Sequence, residues 1–143
     1  MTHEDAGHYS KKHPEAKHNL QIEQAVKQKV SEGKITCAAA HKVAHESGVS
    51  SAEVGIAIDL LEMRIIKCQL GLFGYSPQKG IVKPAEHISP QLKEAIEAEL
   101  VNNRLSCLSS WEIAKRFGIA KIDISAACEK LKIKIFSCQL GAF

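Results

Sequence analysis

Long apolar runs, targeting signals and catalytic motifs are all missing from this sequence. No stretch of about 18 apolar residues exists, so no membrane-spanning helix is expected. The polar beginning carries no signal-peptide pattern, which predicts a cytoplasmic protein. There is no glycine-rich phosphate loop, no nucleophile elbow and no pair of acids on a common frame. We therefore expect a protein that is not an enzyme and needs neither cofactor nor metal.

A strong charge of either sign is also missing. The formal net charge is only +3 over 143 residues, and the surplus lies towards the second half of the chain. Proteins held mainly by phosphate contacts usually carry a stronger basic patch than this. The charge balance therefore permits nucleic-acid binding without requiring it.

What the sequence does contain is an internal repeat with an offset of 70 residues. Cys37 recurs as Cys107, and the segment Cys-Gln-Leu-Gly-Leu-Phe at 68–73 recurs as Cys-Gln-Leu-Gly-Ala-Phe at 138–143. A repeat fixes the number of folding units before any other assignment. Each copy is near the lower size limit for burying an adequate core, so we expect the copies to pack together or to dimerise.

The repeat divides the chain into a flexible, His-rich arm over 1–19, a first repeat over 20–86 and a second repeat over 87–143. The histidines of the arm are spaced five residues apart, at His3, His8, His13 and His18. On a helix this spacing would not place them on one face. The sequence predicts a solvated arm, with adventitious metal binding as the alternative.

Each repeat carries the residue spacing of a helix-turn-helix. A small residue is followed by Gly four positions later, by an apolar residue six further on and by another three beyond. The residues are Ala44, Gly48, Val54 and Ala57 in the first copy and Ala114, Gly118, Ile124 and Ala127 in the second. The Gly supplies the positive φ needed to leave the second helix, and Ser50 or Ser51 can cap the third.

With its short flanking strands, the chain resembles tandem winged helix-turn-helix proteins of the transcription-regulator type. The Cys-Gln-Leu-Gly ending is also similar to that of small uncharacterised bacterial proteins. The resemblance implies a mainly α fold with small β wings, with a returning wing strand at 81–83 and a truncated second wing ending at Phe143. In this superfamily the third helix enters the major groove and the wing contacts phosphates.

The resemblance therefore implies a small DNA-binding protein whose partner is double-stranded DNA. In the first repeat the solvent side of the third helix would present Glu53, Ile56, Asp59 and Leu60, which is a poor DNA face. Ile56 and Leu60 are instead candidates for contact with another protein or with a second copy in a homodimer. The candidate DNA contacts lie in the second repeat and the complete wing: Lys121, Ser125, Lys130, Lys132, Lys134, Lys79 and Lys83. The alternative is a non-enzymatic protein-interaction module, with thiol-based redox sensing as an added role.

The cysteines form two equally spaced pairs, Cys37 with Cys68 and Cys107 with Cys138. One member of each pair begins the second helix and the other lies on the wing strand, so the two thiols are expected to be neighbours. Three interpretations remain open: ordinary core residues, a reversibly oxidised pair, or a metal or iron–sulfur site. A metal site common to both repeats is excluded, because the chelating spacing of His41 and His45 is not repeated. The fifth cysteine, Cys128, is expected in the core.

Overall fold

The computed structural model describes residues 8–143, and over this part of the chain the protein is mainly helical with short strands. After a 3₁₀ helix at Tyr9–Lys12 the elements are α1 (Leu20–Lys29), β1 (Lys34–Thr36), α2 (Cys37–Ser47), α3 (Ser51–Leu60), β2 (Arg64–Ile66), α4 (Pro90–Ala98), β3 (Arg104–Ser106), α5 (Cys107–Phe117), α6 (Lys121–Leu131) and β4 (Lys134–Phe136). This confirms the predicted class, mainly α with small β elements. None of the helices in residues 8–143 is long and apolar enough to cross a membrane.

The same element order occurs twice, as β1–α2–α3–β2 and as β3–α5–α6–β4. Strands and second helices begin and end at positions 70 residues apart, for example Cys37–Ser47 and Cys107–Phe117. Both segments predicted as the first helix of a helix-turn-helix are therefore helices. Each ends at a glycine in the left-handed region, with φ of 66° at Gly48 and 65° at Gly118. A side chain is disfavoured at that φ, which explains glycine at both positions.

Helices α2, α3 and α5 begin at capping residues that the sequence indicates. Thr36 and Ser106 accept hydrogen bonds from the backbone N–H groups of Ala39 and Ser109, at 3.0 Å in each case. Ser50 caps α3 in a capping box with Glu53. Such caps satisfy amide groups that the first turn of a helix leaves without partners, and each contributes about 1 kcal/mol.

The strands pair in parallel, β1 with β2 and β3 with β4. The central residue of each strand is buried and the first is exposed, as at Ile35 and Lys34. A parallel pair requires a long connection between its strands, and here α2 and α3, or α5 and α6, supply it. The strand before each second helix therefore pairs with the strand after the third helix.

The predicted returning wing strand at 81–83 is wrong, because no strand is present between 67 and 89. The chain closes there as an irregular loop, in which the N–H of Ile81 donates to the carbonyl of Gly71 at 2.8 Å. Glycine and proline are frequent in this stretch, and both weaken strands. The strands that follow the third helices therefore pair with β1 and β3, and residues 67–89 form no hairpin with them.

The described residues fall into two compact units whose boundaries do not follow the sequence repeat. Unit 1 contains residues 8–68 together with Gln139–Phe143, and unit 2 contains Gln69–Cys138. The predicted division at 86/87 differs from this, because each Gln-Leu-Gly segment belongs to the unit built on the other repeat. In unit 1, Gly55 on α3 lies directly against the backbone of Leu140. In unit 2, Gly71 lies against the side chain of Ile122 on α6.

Candidate nucleic-acid interface

The third helix of unit 1, α3, buries Asp59, one of the two acids that the sequence predicts on its solvent side, and exposes the other, Glu53. Asp59, expected to point to solvent, is 1% exposed. Its Oδ2 atom lies 2.7 Å from Nε2 of His13 and 3.1 Å from Nζ of Lys12. A buried carboxylate needs such partners, because burial without them would cost several kcal/mol. The sequence pattern of α3 does not predict this burial, because the partners of Asp59 lie in the arm, far from it in sequence.

The described part of the arm is docked on α3 between Tyr9 and His13, which differs from the predicted flexible arm. The Tyr9 side chain is buried, at 3% exposure. The carboxylate of Glu62 accepts hydrogen bonds from the backbone N–H groups of Tyr9 and Ser10, at 2.9 and 2.8 Å. Slight burial acts to raise the pKa of Glu62, but the N–H groups of Ser10 and Tyr9 outweigh it and hold the pKa below its ordinary value.

The arm also joins the end of the chain to α3 within unit 1. Nζ of Lys12 donates to the carbonyl oxygen of Gly141 at 2.9 Å while contacting Asp59. Leu140 and Ala142 are both fully buried. The arm and residues 139–143 therefore cover the parts of α3 at Asp59 and Gly55.

Two of the arm histidines, His13 and His18, contact carboxylates. His18 contacts Glu23 at 2.7 Å, as His13 contacts Asp59. His3 lies outside the described residues. Among residues 8–143, no group of three or more His, Cys, Asp or Glu side chains is placed to hold a metal ion.

The third helix of unit 2, α6, is also covered by another segment of its unit. Ser125, predicted as an exposed DNA contact, is 2% exposed, and this assignment is wrong. Its neighbour Ile122 contacts Gly71, and the carbonyl of Ala126 accepts a hydrogen bond from the N–H of Ala85 at 3.0 Å. The segment around 71–85 therefore lies on α6. Ser125 occupies the position equivalent to Gly55, on the side of the helix that packs.

Lys121 is only partly available. Its Nζ atom lies 4.5 Å from the centre of the Trp111 ring, a cation–π geometry. The other predicted lysines of the second repeat, Lys130, Lys132 and Lys134, are exposed, and so are Lys79 and Lys83 of the loop. Exposure leaves these five side chains accessible to an anionic partner.

The exposed cations of unit 2 gather where its strand pair begins. Arg104 and Lys134 are register partners on β3 and β4, which places two cations side by side on neighbouring strands. Lys130 and Lys132 precede β4 directly. We call Arg104, Lys130, Lys132 and Lys134 the basic edge. None of them forms an ion pair with a carboxylate in the part of the chain that the structure describes.

An aromatic ring supports the basic edge. The guanidinium of Arg104 lies 4.5 Å from the centre of the Phe136 ring, two residues along β4 from Lys134. The sequence reasoning missed Arg104. The sequence does carry a signal for this residue, because a cation occurs at the equivalent position of the first copy: Arg104 and Lys134 repeat the pair Lys34 and Arg64.

Unit 1 carries a different set of charges on the same scaffold. The residues equivalent to the basic edge are Lys34, Leu60, Glu62 and Arg64. The cation at Lys132 is thus an acid at Glu62, and that acid binds the arm. The side chains of Ile56 and Leu60, the candidate protein contacts, are half-buried. Of the two units, unit 2 is the one that presents clustered positive charge.

The paired cysteines lie at the same end of each parallel strand pair. Cys37 directly follows β1, and Cys68 lies two residues after β2. Cys107 and Cys138 repeat this placement after β3 and β4. All are buried except Cys138, which is half-buried. Buried thiols are poorly reactive, which favours the core interpretation. The shared end of the strand pair is also compatible with the redox interpretation.

Cys128 is a core residue of α6, as expected. It is 1% exposed, and burial, with a smaller contribution from the Glu129 carboxylate, raises the pKa of its thiol to about 11. The thiol is therefore protonated at neutral pH and inert as a nucleophile.

Comparisons with known proteins identify no relative of this chain. Neither protein families, nor curated proteins, nor solved structures give a match to this chain.

Proposed function

We propose that this protein binds double-stranded DNA through the phosphate backbone, using the basic edge of unit 2, as a small transcription-regulator-like protein. The observation that carries the proposal is the register pair Arg104 and Lys134, flanked by Lys130 and Lys132, all without carboxylate partners in residues 8–143. Like charges placed opposite each other on paired strands destabilise a sheet unless an anion lies between them. A row of phosphates supplies such anions at a regular spacing.

The tandem winged helix-turn-helix assignment is part of this proposal. It is supported by the helix-turn-helix geometry at Gly48 and Gly118 and by the strand that follows each third helix. The departure lies in the wing, where the second strand of the hairpin is replaced by a loop. Because α3 and α6 are covered, the proposed contact is to phosphates and not to base edges. It should therefore depend weakly on DNA sequence.

A titration with salt tests this function. Affinity for a random-sequence duplex is measured by fluorescence anisotropy at several salt concentrations. The combined variant Lys130→Ala, Lys132→Ala and Lys134→Ala should weaken binding, and the slope of log K against log salt should fall by about one for each lysine–phosphate interaction that the substitutions remove. The matched control is Lys27→Ala, Lys34→Ala and Lys42→Ala, which removes the same formal charge from unit 1. It should leave the slope nearly unchanged. Equal losses of affinity in both variants would mean a response to net charge and would refute the basic edge.

A protein-interaction module is the second candidate, favoured by the arm that α3 already binds. Tyr9 is buried there, and Glu62 and Asp59 hold the backbone and side chains of the arm. A surface that binds one short segment of the chain can bind a similar segment of another protein. If the wild-type protein does not bind duplex DNA even at low salt, this second function replaces the first.

A further inference from the structure

We propose that unit 2 contains a binding groove for an amphipathic monoanion, a ligand with an apolar body and one carboxylate. The groove has a volume of about 490 Å³ and lies between α5 and the start of α6. The lining includes Leu108, Trp111, Glu112, Lys115, Ile119 and Lys121. Ligand sites in proteins are mostly apolar concavities of about 300–1,000 Å³ with a few charged groups, and the groove fits that description.

The apolar side chains of the groove are exposed to water, which is unfavourable in free energy. Leu108 is 52% exposed, although it lies in the first turn of a helix whose other large aliphatic residue, Ile113, is buried. Trp111 is half-buried beside it, one turn further along α5. Single exposed aliphatic residues are common, but here an aliphatic and an indole side chain line one cavity. An apolar ligand body would remove both from water.

The charged part of the groove fixes the sign of the ligand. Lys115 and Lys121 line it together with one acid, Glu112, so the lining carries a single excess positive charge. The ammonium of Lys121 is held over the Trp111 ring at 4.5 Å, which positions the cation next to the apolar wall. A ligand whose carboxylate binds Lys121 would therefore place its apolar body against Trp111 and Leu108.

The two repeats differ at the residues that make this groove. In unit 1 the positions of Leu108, Trp111 and Lys121 are occupied by Ala38, His41 and Ser51. There the imidazole and hydroxyl groups of the last two lie 3.1 Å apart. The same backbone fold is thus compatible with alanine, histidine and serine at these positions. The leucine, tryptophan and lysine that make the groove apolar and cationic occur at these positions in unit 2 only, and the fold does not require them.

The sole tryptophan of the chain makes the proposal directly measurable. Octanoate is titrated into the full-length protein while the emission of Trp111 is recorded. Octan-1-ol, which has the same apolar body without the charge, and acetate, which has the charge without the body, are the comparison ligands. Octanoate should cause a saturable change, and each comparison ligand should bind at least fivefold more weakly. No saturable change with octanoate, or equal binding of octan-1-ol, would overturn the proposal.

Variants that copy the residues of unit 1 separate the groove from other cations. Leu108→Ala and Lys121→Ser introduce the residues that unit 1 carries, and each should weaken octanoate binding at least fivefold. Lys132→Ser, which removes a cation of the basic edge, should leave octanoate binding unchanged. Glu112→Lys, which introduces the residue found at Lys42, should strengthen binding, and a gain of affinity does not arise from misfolding. Unchanged affinity in Leu108→Ala and Lys121→Ser would overturn the proposal. Leu108→Ala should leave DNA binding unchanged, whereas Lys132→Ser should weaken DNA binding and leave octanoate binding unchanged, so failure here is distinct from failure of the proposed function.

Discussion

Replacing Gly55 with Ala tests whether residues 139–143 are an integral part of unit 1. A Cβ atom at this position would lie 2.7 Å from the carbonyl carbon of Leu140 and 3.1 Å from its Cα, and closer still to the carbonyl oxygen. These are backbone atoms, so a small side-chain movement does not relieve the overlap. The terminal segment must lift away from α3.

The expected free-energy change follows from what that movement would expose. Leu140 is 1% exposed, and burial of a Leu side chain contributes about 1.5–3 kcal/mol. The buried methyl group of Ala142 adds about 0.8 kcal/mol. The hydrogen bond between Lys12 and Gly141 adds about 0.5–1.5 kcal/mol. Against these losses, Ala in a helix is favoured over Gly by about 1 kcal/mol. Gly55→Ala should therefore lower the free energy of unfolding by about 2–4 kcal/mol.

Urea unfolding at 25 °C measures the change, and a truncated chain without 139–143 completes a double-mutant cycle. In that truncated chain Gly55→Ala should instead stabilise by about 1 kcal/mol, because only the helix propensity remains. The matched control is Ser125→Ala at the equivalent position of α6. It should be neutral or stabilising, since the Ser125 hydroxyl is buried without a hydrogen-bond partner in the described part of the chain. If Gly55→Ala were equally stable in the full chain, or destabilising in the truncated one, the reasoning would be refuted.

Further predictions concern the arm and the thiols. Because the folded state lowers the pKa of Glu62 below 4.5, its contribution to arm docking is present above pH 4.5 and lost as pH falls through the lower folded value. Amide-exchange protection of Ser10 should follow that loss, and Glu62→Gln should flatten the pH dependence in this range. Asp59→Asn should lower the free energy of unfolding by about 1–3 kcal/mol and make the arm sensitive to protease, and unchanged values of both would contradict its role as the anchor. In native protein at neutral pH, iodoacetamide should modify Cys138 first and Cys128 last, as followed by mass spectrometry; early modification of Cys128 would contradict its burial.

The local structure was predictable from the sequence because its signals are local. The spacing of small and apolar residues around Gly48 and Gly118 predicts the helices on either side of them, and these glycines mark where the second helices end. The capping serines and threonine could also be predicted, because each accepts a hydrogen bond from an N–H group only three residues further along the chain. These signals do not depend on which parts of the chain meet, so the helices that end at Gly48 and Gly118 could be predicted without knowledge of the tertiary structure.

The tertiary assignments failed where a partner lies far away in sequence. Asp59 was placed outward because its position on α3 is opposite the apolar stripe, yet its cationic partners in the arm bury it. Ser125 was placed outward for the same reason, although a loop covers that side of α6. One local signal pointed to the covering segments. Gly55 is an isolated glycine inside a helix, where it costs about 1 kcal/mol relative to Ala, and such a residue usually permits a close approach of backbone.

The two copies carry different charges at equivalent positions of one backbone fold. Where unit 1 has Glu62, whose carboxylate binds the arm backbone, unit 2 has Lys132, exposed and without a carboxylate partner in residues 8–143. Both residues have positive φ, 55° and 59°, so the backbone geometry at this turn is retained while the charge is reversed. The backbone is thus the common element and the charge is the variable one. The carboxylate of Glu62 at this turn accepts hydrogen bonds from N–H groups of the arm, whereas the ammonium of Lys132 at the equivalent turn attracts anions, and the proposed phosphate binding by unit 2 rests in part on this exchange.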